Sequence, residues 1–403
     1  MSMASIATAS RRTLSTRAMT LYAAIVAVSF SATSSAPTPL YHFYQESWGL
    51  SPAIVTAVFA AYAFAMMVSF LTIARLSDYV GRRPMILTAL AFNAAALVIF
   101  ITAGNGFELI LARVVQGLGT GIALSTLGAT ILDTDKANGA VYNSITAFLG
   151  LMVGTLLAGL LVAFAPLPGQ LVYIVLLAVT VIEAAVLLIA PETTTGRPGA
   201  LTVLKPHVTV PKAAMGPLIK LLPLNVAGWA LGGFYLSLMP TLATIATGTK
   251  SLFVGAAVVS ALMLTASITV FVFRHLAPAR MLLISMLGLI AGIVLTLGAV
   301  YLQSAPLMIV GTIVAGFGFG NAYSGNLRTL LPLAGEHERA GLLAAYFVES
   351  YLAFAIPAVI AGLVAPVLGL VTTSYYYGAV LVVLILISLL ASLEQKPRRM
   401  MEI

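Results

Sequence analysis

Uncharged runs long enough to cross a bilayer recur along this chain, and they leave little choice of fold. A membrane helix needs roughly 20 apolar residues. Arg17–Glu46, Glu46–Arg75 and Arg83–Glu108 each leave room for one, and Glu108–Asp133 holds a fourth interrupted only by Arg113. Lys136–Glu183 accommodates a fifth, a reversal at Pro166–Gly169 and most of a sixth. Lys220–Lys250 and Lys250–Arg274 hold spans seven and eight; Arg280–Arg328 holds nine and ten, with a turn near Gln303–Pro306. Gly341–Leu393 holds eleven and twelve, with a turn near Pro366–Gly369. Each span is expected to be a helix, because an open strand cannot satisfy its backbone in lipid. The expected fold is an all-α membrane protein with twelve transmembrane helices.

Composition agrees. Of 403 residues, 61% are hydrophobic and 8% charged, against about a quarter charged in soluble domains, so a soluble enzyme is excluded. The absence of cysteine excludes disulfides, thiolate metal sites and thiol catalysis. The net charge of +8 would suit nucleic acid, but its distribution reads as topology. With both termini in the cytoplasm, that side collects Arg11, Arg12, Arg17, Arg75, Arg82, Arg83, Lys136, Arg197, Lys205, Lys212, Arg274, Arg280, Arg339, Lys396, Arg398 and Arg399. The outer loops keep Lys250, beside Glu46 and Glu108. That is the positive-inside pattern, and nucleic acid drops out as a partner. Arg11, Arg12 and Arg17, an apolar run and Ser34–Ser35–Ala36 imitate a cleaved signal peptide. Cleavage would leave eleven spans and break the symmetry described next, so Met1–Thr20 reads as a cytoplasmic tail and the first helix as uncleaved.

The spans divide six and six around a polar stretch rich in Pro, Gly and Thr, a linker composition. The expected organisation is a tail over 1–20, a six-helix bundle over 21–190, a cytoplasmic linker over 191–217, a second bundle over 218–393 and a tail over 394–403. The halves echo each other. Gly117, Gly119 and Gly121 in span four recur as Gly316, Gly318 and Gly320 in span ten, each 199 positions on. Ala158–Leu161 (A-G-L-L) in span five likewise matches Ala361–Val364 (A-G-L-V) in span eleven. Small residues are common wherever membrane helices pack closely, but three coincidences at one offset favour internal repetition.

Between spans two and three lies Ala74–Pro84, A-R-L-S-D-Y-V-G-R-R-P. Gly81 is the residue able to take a positive φ in a tight reversal. With Asp78, Gly81, Arg82 and Arg83 in this spacing, the segment resembles the loop between helices two and three of the major facilitator superfamily; Ala74 stands where that family usually has Gly. The run A-R-V-V-Q-G-L-G-T-G, Ala112–Gly121, resembles the family's fourth-helix motif, including its intramembrane Arg at Arg113. Ala36–Tyr41, Trp48–Pro52 and Gly233–Pro240 look like a bacterial branch of drug- or metabolite-efflux permeases. The resemblance implies two pseudo-symmetric six-helix bundles in the bacterial inner membrane, rocking around a central cavity by alternating access. It further implies a conformational latch formed by Arg75, Asp78, Gly81, Arg82 and Arg83 on the cytoplasmic side. A monomer is expected, exporting a small organic substrate in exchange for protons, without a cofactor. Proton antiporters of the superfamily carry Gly-Pro in the fifth-helix motif, where this chain has Thr155, and several multidrug members carry an acidic residue in span one that is missing here.

Ionisable residues inside the bilayer are costly and therefore informative, at about 2.5–3.5 kcal/mol each on the insertion scale. Arg113 lies about two turns into span four, a candidate for proton coupling or anion binding. The alternative is a structural Arg held by carbonyls and hydroxyls of span one, where Ser29, Ser31, Thr33, Ser34 and Ser35 cluster. Glu349, in Y-F-V-E-S-Y of span eleven, lies near mid-membrane and is the second proton-coupling candidate. Glu183 in span six is expected to snorkel or to pair with a basic loop residue. The fold implied by the resemblance lines its cavity with spans 1, 4, 7 and 10 and parts of 5, 8 and 11. The candidate substrate-binding residues are therefore Tyr41, Gln116, Asn225, Trp229, Tyr235, Asn321, Tyr323, Tyr346 and Tyr351, a set suited to a neutral or amphipathic molecule. His42, His207, His275 and His337 fall in loops or helix ends, so no metal site is expected, and no G-x-x-x-x-G-K-[ST] loop is present for ATP. A facilitator or symporter, or a membrane sensor on the same fold, are the alternatives to an exporter.

Overall fold

The computed structural model describes residues 14–393 apart from 74, 201–203, 207, 250 and 336. Most of the N-terminal tail, the C-terminal tail 394–403, Ala74, His207 and Lys250 lie outside the described residues. Span one is two helices, α1 (Thr16–Ser35) and α2 (Pro37–Trp48), and span two is α3 (Pro52–Thr72). A one-turn helix, α4 (Ser77–Val80), leads into α5 (Arg82–Thr102), α6 (Gly106–Thr134), α7 (Gly139–Phe164) and α8 (Leu171–Leu187). The second half runs through α9 (Lys212–Ser237) and α10 (Met239–Thr247), which share span seven, then α11 (Leu252–Val272), α12 (Pro278–Tyr301), α13 (Ala305–Leu330), α14 (Arg339–Leu368) and α15 (Leu370–Leu393). Among the described residues, eleven spans are long and apolar enough to cross a membrane. The twelfth, α8, has 17 residues, the lower limit for a spanning helix of about 17–25. The protein is a twelve-helix, all-α membrane protein. Val367, Tyr301, Phe164 and Phe107, each at least three-quarters exposed, belong to the apolar outer surface that lipid would cover.

Local chemistry fixes the breaks. Pro37 and Pro39 have no amide to continue the ladder of α1, so span one bends there, and Pro240 sits in the first turn of α10 where span seven bends. Gly49 (φ 65°) ends α2 and Gly248 (φ 64°) ends α10, both left-handed. Asn105 caps α6 by accepting from the Glu108 amide at 3.0 Å, and Ser304 caps α13 by accepting from the Leu307 amide at 3.4 Å. Both the glycine pair and the cap pair lie 199 residues apart, the offset of the glycine triplets. The seventh span opens at Lys212, inside the stretch read as linker, and carries Pro217 and Pro223 within its first turns.

The glycine triplets serve the same packing in each half. A Cβ at Gly117 or Gly121 would strike Tyr62, Ala65 or Ser69 of α3, and one at Gly119 would strike Phe92 of α5. In the other half, Gly316 and Gly320 meet Leu262 and Ala266 of α11, and Gly318 meets Leu289 of α12. Outer glycines to the preceding second helix, middle glycine to the third, is one arrangement used twice. The second repeat builds the seams between halves: Gly159 of α7 packs on Ala256 of α11, and Gly362 of α14 on Thr56 and the Pro52 carbonyl of α3.

Candidate functional site

A cavity of about 620 Å3 lies between the two halves. It reaches Asp78, Leu132 and Ala340, at the ends of α3–α4, α6 and α14 that share a face with the start of α1 and the end of α15 (the terminal face). Toward the opposite, distal face the halves meet. Thr38 Oγ1 donates to the Leu236 carbonyl at 2.9 Å, Thr241 Oγ1 donates to Gln45 Oε1 at 2.9 Å, and the Phe59 and Phe354 rings touch with centroids 4.7 Å apart. The cavity is closed distally and opens toward the terminal face.

Its walls are apolar and aromatic. Of the predicted binding residues, Trp229, Tyr323 and Tyr351 line it, with Trp229 edge-on to both tyrosines at 6.4 and 5.6 Å. The other six do not. Tyr235 points away, its hydroxyl shared with Thr296 and Thr312 of α12 and α13 at 3.3 and 3.0 Å. Asn321 is fully buried and donates to the Phe317 carbonyl within its own helix at 3.1 Å. Tyr346 is buried in a cluster with Leu330, Leu342 and Ala214, and Tyr41 in the core at the distal end of span one. Helical spacing is the reason: successive side chains point about 100° apart, so the face carrying Phe347, Tyr351 and Phe354 excludes Tyr346, and the face carrying Trp229, Gly232 and Leu236 excludes Tyr235. The residues missed are Phe59, Tyr62, Met66 and Phe70 of α3, together with Phe148, Phe319, Phe347 and Phe354. Their aromatic spacing of three and four along α3 and α14 is a usable signal; span two is simply not among the walls that the family expectation assigns.

Gln116 and Asn225 stand behind the walls as connectors. Arg113, only 1% exposed, donates to the Ser34 carbonyl at 2.7 Å and to Gln116 Oε1 at 2.6 Å, and lies over the Tyr62 ring at 4.4 Å. Gln116 passes the linkage to α1 by donating to the Thr33 carbonyl at 3.0 Å. Among the described residues no carboxylate pairs with Arg113. In the other half, Asn225 Nδ2 donates to Glu349 Oε2 and to Ser350 Oγ, both at 3.0 Å, while its Oδ1 accepts from Asn326 at 3.0 Å. Asn225 thus ties α9, α13 and α14 together. Glu349 lines a separate lateral groove between α9 and α14, with Val226, Leu352 and Ile356, rather than the cavity. Glu183 is 5% exposed and no basic residue pairs with it among the described residues, so it neither snorkels nor joins an ion pair. It sits where Tyr22 of α1 donates to its backbone carbonyl at 3.0 Å.

The charged segment at the terminal face is built around Arg82, 6% exposed. Its guanidinium bonds Asp78 at 2.5 Å, Ser77 Oγ at 2.6 Å and Asp133 of α6 at 3.0 Å. Gly81 takes φ 108°, and the amides of Arg82 and Arg83 that open α5 donate to the two oxygens of Glu192 at 2.8 and 3.0 Å, an anion held at a helix N-terminus. Arg83 also reaches the Leu188 carbonyl at 3.2 Å. Asp133 and Glu192 carry no local signal in the sequence, lying 51 and 110 residues from Arg82. Every one of these contacts is within the first half and its following segment; Arg75 stands apart, exposed and unpaired among the described residues.

A family model described as Major Facilitator Superfamily matches residues 21–356. Solved structures similar to the chain include the nucleoside transporter NupG, at TM-score 0.69 and 13% identity, covering 94% of this chain and 100% of that one. A mutant form of NupG aligns at TM-score 0.71 and 13% identity, covering 92% and 99%. The human organic anion transporter MFSD10 (TETRAN) aligns at TM-score 0.67 and 14% identity, covering 93% and 100%. No curated protein matches in sequence. Two repeated six-helix halves around a cavity sealed at one end, and a family match over most of the length, lead to one assignment: the chain belongs to the major facilitator superfamily.

Proposed function

We propose that this protein exports small, neutral or amphipathic organic compounds across a bacterial inner membrane by alternating access, in exchange for protons. The observation that carries the reading is the cavity: about 620 Å3, within the roughly 300–1,000 Å3 of small-molecule sites, walled by aromatic side chains and closed at the distal face. The distribution of Lys and Arg supports a cytoplasmic terminal face, and on that reading the cavity would receive cargo from inside. The segment of Arg75, Asp78, Gly81, Arg82 and Arg83, whose bonds here stay within the first half and the stretch that follows it, would act as a latch by meeting the second half when the cytoplasmic side closes.

Glu349 is the proposed proton carrier. It does not face cargo, so coupling would run through Asn225, which donates to Glu349 and sits one helical turn from Trp229 on the cavity wall. Loss of charge at Glu349 changes what Asn225 can donate to, and α9 carries that change to the cavity. A facilitator is the second reading, favoured by the position of Glu349 outside the cavity and by Thr155 in the fifth-helix motif. The test is proton movement in proteoliposomes on adding a panel of lipophilic cations, neutral drugs and sugars, with Glu349→Gln alongside. Substrate-triggered proton release lost in the variant supports the antiporter; flux without proton movement in the parent protein replaces it with the facilitator.

A further inference from the structure

A second cleft adjoins the cavity on its side. Between α3 and α14 lies a cleft of about 200 Å3. Its inner wall is shared with the central cavity, through Phe70, Ala340, Leu343, Phe347 and Tyr351. Three of these form a stack: Phe70 on Phe347 at 5.5 Å, Phe70 on Tyr351 at 6.0 Å, and Phe347 on Tyr351 at 6.1 Å. The outer rim carries Arg75 and Lys205, both exposed and without ion-pair partners among the described residues. No carboxylate lines the cleft among the described residues. Alone it is smaller than the usual small-molecule site, and among the described residues only the stacked rings of Phe70, Phe347 and Tyr351 and their neighbours Ala340 and Leu343 line both it and the cavity.

We propose that this cleft is a lateral portal through which an amphipathic anion reaches the central cavity from the bilayer. Its alkyl chain runs between the aromatic rings, and its anionic head is held at the rim by Arg75 and Lys205, where cations at the membrane surface attract negative groups. The inference rests on the transporter reading and names a substrate class for it. It also gives Arg75, the latch residue that pairs with nothing in the segment, a use of its own.

The test is an equilibrium measurement without a pH gradient, so it reads the portal whether or not transport is proton-coupled. The chain has two tryptophans, Trp48 and Trp229; in a Trp48→Phe background the remaining indole is Trp229, edge-on to Tyr351 at 5.6 Å. In zwitterionic nanodiscs, an ω-brominated dodecyl sulfonate is titrated and quenching of Trp229 followed. Saturable quenching is expected, weakened roughly thirty-fold in Arg75→Gln/Lys205→Gln from the loss of two interfacial charges. In Arg75→Lys/Lys205→Arg it is kept within about twofold, since those variants preserve charge. Neutral ω-bromododecanol should quench all three alike. Equal quenching by the sulfonate in the charge-removed variant overturns the portal, as does abolition of quenching when phosphatidylglycerol replaces part of the zwitterionic lipid, which would make the cleft a resident-lipid site.

Discussion

Gly81→Ala isolates the device that docks the segment after the sixth span onto the loop after the second. At φ 108° a residue with a Cβ is strained by about 1–3 kcal/mol. That Cβ would also stand 2.8 Å from Glu192 Oε2, closer than real contacts allow, so Glu192 must move. Moving it releases the amides of Arg82 and Arg83, bonded at 2.8 and 3.0 Å. Bonds to a charged group are worth about 1.5–3 kcal/mol when buried; Glu192 is exposed, so roughly 1 kcal/mol for the pair is a fair discount. The sum is about 3 kcal/mol, near a hundred-fold increase in local opening. Hydrogen exchange at the Arg82, Arg83 and Arg197 amides reads it directly, since Arg197 also donates to the Tyr79 carbonyl at 2.9 Å. In Glu192→Ala the same glycine substitution meets no carboxylate, and its effect should fall to the strain alone, about 2 kcal/mol or roughly thirty-fold. Equal effects of Gly81→Ala in both backgrounds would refute the collision, and no effect in either would refute the strain.

Three further substitutions bear on the moving parts. Asp78→Asn leaves the protein inserted and folded but reduces flux, because the exposed carboxylate at the cavity mouth is proposed for the closed latch; wild-type flux in proteoliposomes contradicts that role. Arg113→Gln removes two charged donors from the α1 carbonyl and Gln116, lowering thermal stability in detergent by about 1–3 kcal/mol; undiminished stability with lost flux would instead make Arg113 a coupling residue. Gly362→Leu drives a side chain into Thr56 and the Pro52 carbonyl, prising the distal seam apart; a cysteine at Thr38 should then react with a membrane-impermeant thiol reagent several times faster from the distal side, and an unchanged rate would show that this seam does not hold the distal gate.

What the sequence made legible follows the physics of each feature. The twelve spans come from a solvent that admits few charges, so counting charges finds them; α8, at 17 residues the one short span, carries Glu183 buried within it, as its place in span six implied. The glycine triplets were readable because close helix approach demands a missing Cβ at fixed spacing, and the same 199-residue offset reappears in the caps and left-handed glycines that bracket the helices. Residue type failed where direction mattered: a tyrosine at 346 and a phenylalanine at 347 look alike as cavity candidates, and only the helix phase, set by packing against α3, turns one into the core and the other toward the cavity. Partners distant along the chain were invisible for a different reason. Glu192 reaches Arg82 and Arg83 only because α8 returns the chain beside α5 at the terminal face, and Asp133 reaches Arg82 only because α6 ends beside α5. The charged segment is therefore an assembly of the loop after the second crossing, the ends of the fourth and sixth, and the start of the third, where Arg82 is its centre. Since all of its bonds stay within one half, the proposed closing of the terminal face need not break them: in that proposal the first half would rock as a rigid body, carrying Asp78 and the unpaired Arg75 toward α14, and the seams that would slide are the glycine contacts at Gly159 and Gly362.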